Sequence, residues 1–306
     1  MSAVVAQDLE LWTHSMMSTY MNCPRRGHYR YGMHLAPAVE HKARPIGSAF
    51  HRGIETGHVE DALALYDRLI PAPNDQAEAD GWANDRAIVE GMVSGGLARW
   101  TRHEGGQREV QFRVPAINPE TGRASRTFML AGKIDAIVDI GGQWWIEELK
   151  SSGSLTKLYV DRLELDQQVT LYIYAAQRMW NIQIAGVLYR VARKPSIKQT
   201  QKETAAAYRE RLLRDYLVER PDFYFFEFDL HRTAEHLAEF EHDLWVQTQR
   251  FLADRRAGFH PKNTSRCTEY GGCPYMPLCL QRPDAEALYT IRAPHQELLD
   301  EEGEAE

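Results

Sequence analysis

The sequence predicts an α/β protein, a mixed sheet covered by helices. Three observations lead there. Alternating apolar strands cluster between residues 108 and 149, a buried apolar run follows at 184–192, and segments of helical period lie on both sides. The 306 residues, 43% hydrophobic and 26% charged, are those of an ordinary globular protein of one large or two small domains. No apolar run is long enough to span a bilayer. The start, MSAVVAQDLELW, lacks the basic segment and long apolar core of a secretory signal, so a cytoplasmic protein with no membrane association is expected. Four cysteines are too few for a disulfide scaffold, and a net charge of −7 excludes a generally basic coat for nucleic acid while leaving room for local basic patches.

Along the chain, residues 14–32 read as a helix with Ser15 as N-cap and Met16, Tyr20 and Cys23 at helical spacing. Residues 45–70 and 84–101 are helical by period. Strands follow at 108–117, 127–140 and 143–149, then a helix at 159–180 and the strand at 184–192. A charged helix at 201–219, an aromatic strand at 222–230 and an amphipathic helix at 232–257 complete the pattern. The terminal DEEGEAE is acidic, and 283–306 reads as a partly disordered tail behind one domain of residues 1–282.

The stretch GKIDAIVDIGGQWWIEELK, residues 132–150, places carboxylates inside apolar β-structure. Gly141 and Gly142 signal a two-residue hairpin, because glycine accepts the positive φ of primed turns. If Ile140 faces Gln143, then Asp135 faces Glu148, with Cβ atoms about 4.5–5.5 Å apart. Two carboxylates in so apolar a setting repel with little screening, and a divalent cation would compensate them. Lys150, two residues after Glu148, shares its face, where an ammonium can stabilise a developing anion or orient water. Glu147 points to the other face. A structural ion pair on a solvated sheet is the alternative reading of the same three residues.

Other pieces of the chain come in a telling order. Ser15, Ser18, Tyr20 and CPRR (23–26) precede IGSAFH ending in His51, GKID ending in Asp135, ELK (148–150), QVTLY with Gln168 and Tyr172 four apart, and a late cysteine group. In this the sequence resembles the RecB-like branch of the PD-(D/E)XK nucleases, which includes the CRISPR-associated exonucleases, from about residue 14 to residue 280. The resemblance implies a restriction-endonuclease-like core and a Mg²⁺ or Mn²⁺ ion held by His51, Asp135, Glu148 and the main-chain carbonyl of Leu149. It makes Lys150 the assistant of the attacking water. Oxygen ligands suit hard cations, and an imidazole shifts preference toward Mn²⁺. Glu55, one helical turn after His51, either orients its ring or is an exposed helix acid. Gln168 and Tyr172 share a helix face and either meet the DNA or hold the helix to the sheet.

All four cysteines fall where one site could use them: Cys23 in CPRR, and Cys267, Cys273 and Cys279 spaced C-x5-C-x5-C. Among relatives with this layout one early and three late cysteines bind a [4Fe-4S] cluster, clasping the N-terminal helix to the C-terminal region. The commoner family spacing has two residues between the first pair. Zinc and buried free thiols are the alternatives, although zinc sites usually show close CxxC pairs. Basic patches at Arg25, Arg26 and Arg30, at Arg190, Arg193, Lys194 and Lys198, and at Arg255, Arg256, Lys262 and Arg266, with Tyr29, Tyr31 and Tyr270 among them, suit a single-stranded DNA track. The expectation is a metal-dependent DNA exonuclease on single-stranded or frayed ends. No GxxxxGK[ST] loop occurs, so a helicase, annealing or CRISPR adaptation partner would be a separate chain. The other class left open is a catalytically idle DNA-binding scaffold.

Overall fold

The computed structural model of the protein describes residues 9–38, 43–103, 105–295 and 298. The elements run β1 (Glu10–Trp12), α1 (His14–Asn22), α2 (Pro24–Gly27) continued by a π turn (His28–Gly32), β2 (Leu35–Pro37), α3 (Ala43–Thr56), α4 (Val59–Leu69) and α5 (Gln76–Arg99). Then come β3 (Gln107–Ile117), β4 (Ala124–Ile140), β5 (Gln143–Ser152), α6 (Lys157–Leu163), α7 (Gln167–Trp180) and β6 (Ile184–Arg193). The last are α8 (Ala205–Arg214), α9 (Pro221–Tyr224), β7 (Phe225–Leu230), α10 (Ala234–Ala257), α11 (Met276–Cys279) and β8 (Tyr289–Ile291).

Several boundaries differ from the sequence reading, each for a local reason. Thr13, not Ser15, caps α1: it is extended, and its side chain accepts the Met16 N–H at 3.2 Å. Cys23, at φ −161° and ψ 108°, then breaks the helix expected through residue 32. The helix expected over 45–70 divides at Gly57, whose φ is +81°. The one expected over 159–180 divides before Asp166, whose carboxylate caps α7 by accepting from the N–H groups of Gln168 and Val169. Within the stretch read as an acidic tail, Tyr289–Ile291 pairs with β2; residues 299–306 lie outside the described residues.

The main sheet has the order β1-β4-β5-β6-β7, with β3 also on β4. The β3–β4, β4–β5 and β6–β7 pairs are antiparallel; β1–β4 and β5–β6 are parallel, the latter through the α6–α7 crossover. Two apolar clusters sandwich the sheet. Ile146, Val187, Tyr189 and Val191 join α1, α7 and α10 in the first; Leu149 and Ala192 join α3, α4, α5 and α8 in the second. Each fully buried residue such as Ile146 or Phe112 contributes roughly 1.5–3 kcal/mol.

One irregularity matters for function. Up to Ile134, the residues of β4 that enter the first cluster are even-numbered, as are their β3 partners Val110 and Val114; the next to do so is Ile137. The change of phase falls between the pairs Arg108–Ala136 and Val110–Ile134, where Glu109 has φ +53°. The pairing register is unbroken there, so no residue is inserted, and the change of phase accompanies the left-handed backbone of Glu109. The side chain opposite is Asp135.

Candidate active site

The hairpin forms as expected. Gly141 and Gly142 take φ +63° and +83°, the Asp139 carboxylate accepts the Gly142 N–H at 2.7 Å, and Ile140 pairs with Gln143. The ladder runs to Ala136–Glu147, and Asp135 and Glu148 are the next residues beyond its end. There the Asp135 carboxylate accepts the main-chain N–H of Leu149 at 2.7 Å. Helix α3 brings His51, whose Nδ1 lies 3.4 Å from Asp135 Oδ1. Lys150 donates to Glu148 Oε1 and, at 2.9 Å, to Gln168 Oε1 on α7; Gln168 Nε2 donates to the Tyr172 hydroxyl at 2.8 Å.

Six residues singled out in the sequence, His51, Asp135, Glu148, Lys150, Gln168 and Tyr172, therefore form one connected group between the helices of the two sheet faces. Leu149 engages Asp135 through its N–H. Glu55 does not reach the His51 ring as its partner; it pairs with Arg52 at 3.1 Å.

The charges are strongly coupled. Burial pushes the Glu148 carboxyl up to about 7, with Asp135 as a like charge, against the opposing pull of Lys150. Burial also acts on Asp135, but the His51 charge and hydrogen bond, Lys150 and the Leu149 N–H outweigh it and hold that carboxyl low. Reciprocally, burial is outweighed at His51 by Asp135 and at Lys150 by Glu148, and both are raised. Glu148 is 2% exposed, and its Oε2 is a buried oxygen with no hydrogen-bond partner. An unmatched carboxylate oxygen beside a second, ionised carboxylate fits a hard divalent cation. Among the described residues, no three His, Cys, Asp or Glu side chains are already gathered in a geometry that holds an ion.

Sequence reasoning missed Glu109. It is paired with Lys133, and its carboxyl is raised by burial and by the nearby Asp135 and Glu55, against the pull of Lys133. The available signal was the spacing of Ile134 and Ile137, which breaks strict alternation. Glu147 does face away from the site, but it is buried: Arg190 at 2.9 Å, His103 at 3.0 Å and Arg108 at 3.3 Å surround it.

Some residues of the predicted basic patches make contacts within the fold. Arg190 is 3% exposed and bridges Glu147 and Glu227, which corrects its assignment to a basic surface patch. Arg25 donates to the His260 carbonyl at 2.7 Å and packs on Phe259, and Nε of Arg26 is buried without a partner.

The four cysteines are free thiols. Their surroundings join the two ends of the fold: the Arg25 N–H donates to the Pro261 carbonyl at 3.1 Å, and Asn263 donates its amide to the Asn22 carbonyl at 2.9 Å. The Asn263 N–H lies 3.4 Å from Cys23 Sγ, and Cys273 N–H donates to the Cys267 carbonyl at 2.8 Å. Burial raises the Cys279 thiol, with Cys273 and Cys23 as neighbouring contributors. Among the described residues, the cysteine side chains are not gathered as a preformed ligand set.

No helix among the described residues is long and apolar enough to cross a membrane. No curated protein sequence matches the chain. A solved structure from Eubacterium rectale, described as that of a candidate exonuclease, shares 14% identity over 85% of this chain and 86% of its own, with a TM-score of 0.51. The solved structure of SSO0001 shares 14% identity over 79% of this chain and 87% of its own, with a TM-score of 0.33. The first likeness supports the fold. The family model for the PD-(D/E)XK nuclease superfamily matches residues 11–280, a span that includes His51, β4, Glu148 to Lys150 and all four cysteines. By that match, and by the mixed sheet that carries Asp135 and Glu148 on neighbouring strands, the chain belongs to the PD-(D/E)XK nuclease superfamily.

Proposed function

We propose that this nuclease is a Mg²⁺- or Mn²⁺-dependent DNA exonuclease of the RecB-like branch, acting on single-stranded or frayed ends. The observation that carries the reading is the buried, half-satisfied Glu148 carboxylate opposite Asp135 and beside Lys150. His51, Asp135, Glu148 and the Leu149 carbonyl are the residues that would hold the metal. Such an ion, when bound, acidifies a bound water and neutralises charge developing on phosphate oxygens.

The chain's own groups prepare the rest. Asp135 fixes the His51 ring, and its bond to Leu149 N–H ties β4 to β5 where their main-chain ladder stops. Gln168, anchored by Tyr172, gives the Lys150 ammonium a second partner besides Glu148, so its position does not depend on Glu148 alone. Preorganised charge of this kind lowers a barrier without reorganisation during the reaction.

The test is digestion of 5′- and 3′-labelled single strands with Mg²⁺ or Mn²⁺, beside an Asp135→Ala variant. Metal-dependent release of labelled nucleotides by the wild type alone is expected; equal activity in both proteins rejects the site. Cys23, Cys267, Cys273 and Cys279 would hold a [4Fe-4S] cluster, with zinc as the competing occupant. The free thiols and the Asn263 N–H directed at Cys23 support this. A brown protein with iron and sulfide by analysis is expected; a colourless zinc protein rejects the cluster. Recombination and repair, phage DNA processing and trimming before spacer capture are the settings that suit such an enzyme, working in the cytoplasm with a separate helicase, annealing or CRISPR adaptation protein.

A further inference from the structure

Where the two ends of the fold are tied together, two histidines from distant parts of the chain meet. The His28 ring stacks on the His260 ring, with centroids 4.1 Å apart and planes 13° from parallel. Separate local devices bring them there. Residues 28–32, HYRYG, wind into the π turn, which closes where the Met33 N–H donates to the His28 carbonyl at 2.8 Å. Glycine is needed at its end, because a Cβ on Gly32 would stand 2.8 Å from His28 Nδ1. His260 leaves α10 past the left-handed Gly258 and is 8% exposed.

The stack accommodates neutral rings and resists charged ones. His260 Nδ1 is buried without a hydrogen-bond partner. A neutral imidazole leaves that nitrogen as an acceptor, whereas an imidazolium puts an N–H there with nothing to receive it. The charged groups that face the pair are Arg25 on α2 and Asp254 on α10. Arg25 donates to the His260 carbonyl at 2.7 Å and packs on Phe259, so its cation is fixed beside both rings. Asp254 attracts a charged His260, but its carboxylate already accepts the Tyr20 hydroxyl. A proton on one ring also faces the other ring across the stack, and two charges that close repel.

Both imidazoles accordingly lie below their ordinary value of 6.5. Burial is the first cause at each; His260 and Arg25 add to it at His28, and at His260 burial and Arg25 outweigh Asp254. A histidine depressed in this way binds fewer protons in the closed state than in the open one. Its contribution to closure is present above 6.5 and is lost as pH falls from there.

We propose that the His28–His260 stack is an acid-released latch between the N-terminal segment and residues 260–263. Its opening breaks the bonds from Arg25 N–H to the Pro261 carbonyl and from Asn263 to the Asn22 carbonyl, and uncovers the buried Cys23 beside the Asn263 N–H. The latch rests on the stack and its surroundings and is independent of the proposed function.

Hydrogen–deuterium exchange of the full chain tests it, read on peptides covering residues 23–29 and 260–264 between about pH 7.5 and about pH 5.5. One unit below its ordinary value, each ring kept neutral only in the closed state multiplies the opening constant by up to about tenfold. Wild-type protection, corrected for intrinsic exchange, is therefore expected to fall by about tenfold to a hundredfold across this range. The variant His28→Phe/His260→Phe keeps stacked rings that take no proton, and its protection is expected to change by less than about twofold. The raised Glu148 carboxyl acts on stability in the opposite direction with pH, but it is common to both proteins and cancels in their ratio. Equal pH dependence in the two proteins, or constant protection in the wild type, overturns the latch. Where the phenyl rings loosen the tie already at the upper pH, carbon-13 titration of the wild-type histidines decides. Values for both rings below 6.5 that track the loss of protection support the latch, and values at or above 6.5 overturn it.

Discussion

Glu147 and Glu148 are chain neighbours, each 2% exposed, yet the fold treats them in opposite ways. Glu147 has three nitrogen partners on three different elements or loops, and one of them, Arg190, is as buried as the carboxylate itself. Glu148 has Lys150 and an oxygen with nothing to bond. A buried charge with matched donors is architecture. One left half matched is held at a cost to stability, and such costs cluster where a protein must bind something. The pairing teaches that burial alone does not tell two acids apart; the number of satisfied oxygens does.

The comparison breaks most visibly in stability. Glu147→Gln strands the buried Arg190 charge and is expected to lower unfolding free energy by about 3–5 kcal/mol, toward the low end because Glu227 still pairs with Arg190. Glu148→Gln removes a poorly solvated charge and is expected to leave the urea midpoint unchanged or raise it. Equal losses in the two variants would erase the contrast.

In activity the order reverses. Glu148→Gln or Asp135→Ala should lower cleavage by about 10²–10³-fold or more, whereas Glu147→Gln should retain turnover at temperatures where it stays folded. Gln168→Ala, which frees the Lys150 ammonium from one partner, is expected to cost about 10–100-fold in turnover with the melting temperature preserved.

The pH response sharpens the same point. Burial raises Glu148 from 4.5 to about 7, so between those values the folded state binds more protons than the unfolded chain, and stability falls as pH rises through that window. Melting curves across pH 4.5–7 should show the decline in the wild type and lose part of it in Glu148→Gln. The smallest effect is expected from Glu55→Ala. Its partly exposed pair with Arg52 contributes at most about 1 kcal/mol, and a larger change in activity would give Glu55 a role at His51 after all.

Much of this was legible in the chain. Two glycines set the hairpin register, which runs to Ala136–Glu147 and leaves Asp135 and Glu148 next beyond its end; period-two and helical patterning gave the sheet and its flanking helices. What escaped depends on long-range packing. The left-handed Glu109 is stable only because β4 and Lys133 hold it, and no local propensity announces that. Arg190 reads as surface until Glu147 and Trp100 are placed around it in three dimensions. Thr13 displaced Ser15 as a cap because β1, paired with β4, already delivers an extended chain at that point.

The bonds between Arg25 and the segment His260–Pro261 join residues 235 positions apart. At about 5–20 residues per second, synthesis delivers the second partner roughly 10–50 s after the first. For that interval the nascent chain around Cys23 has neither its hydrogen-bond acceptors nor its neighbouring thiols, and its apolar side is open. Maturation of this molecule is therefore timed by the arrival of residues 260–279.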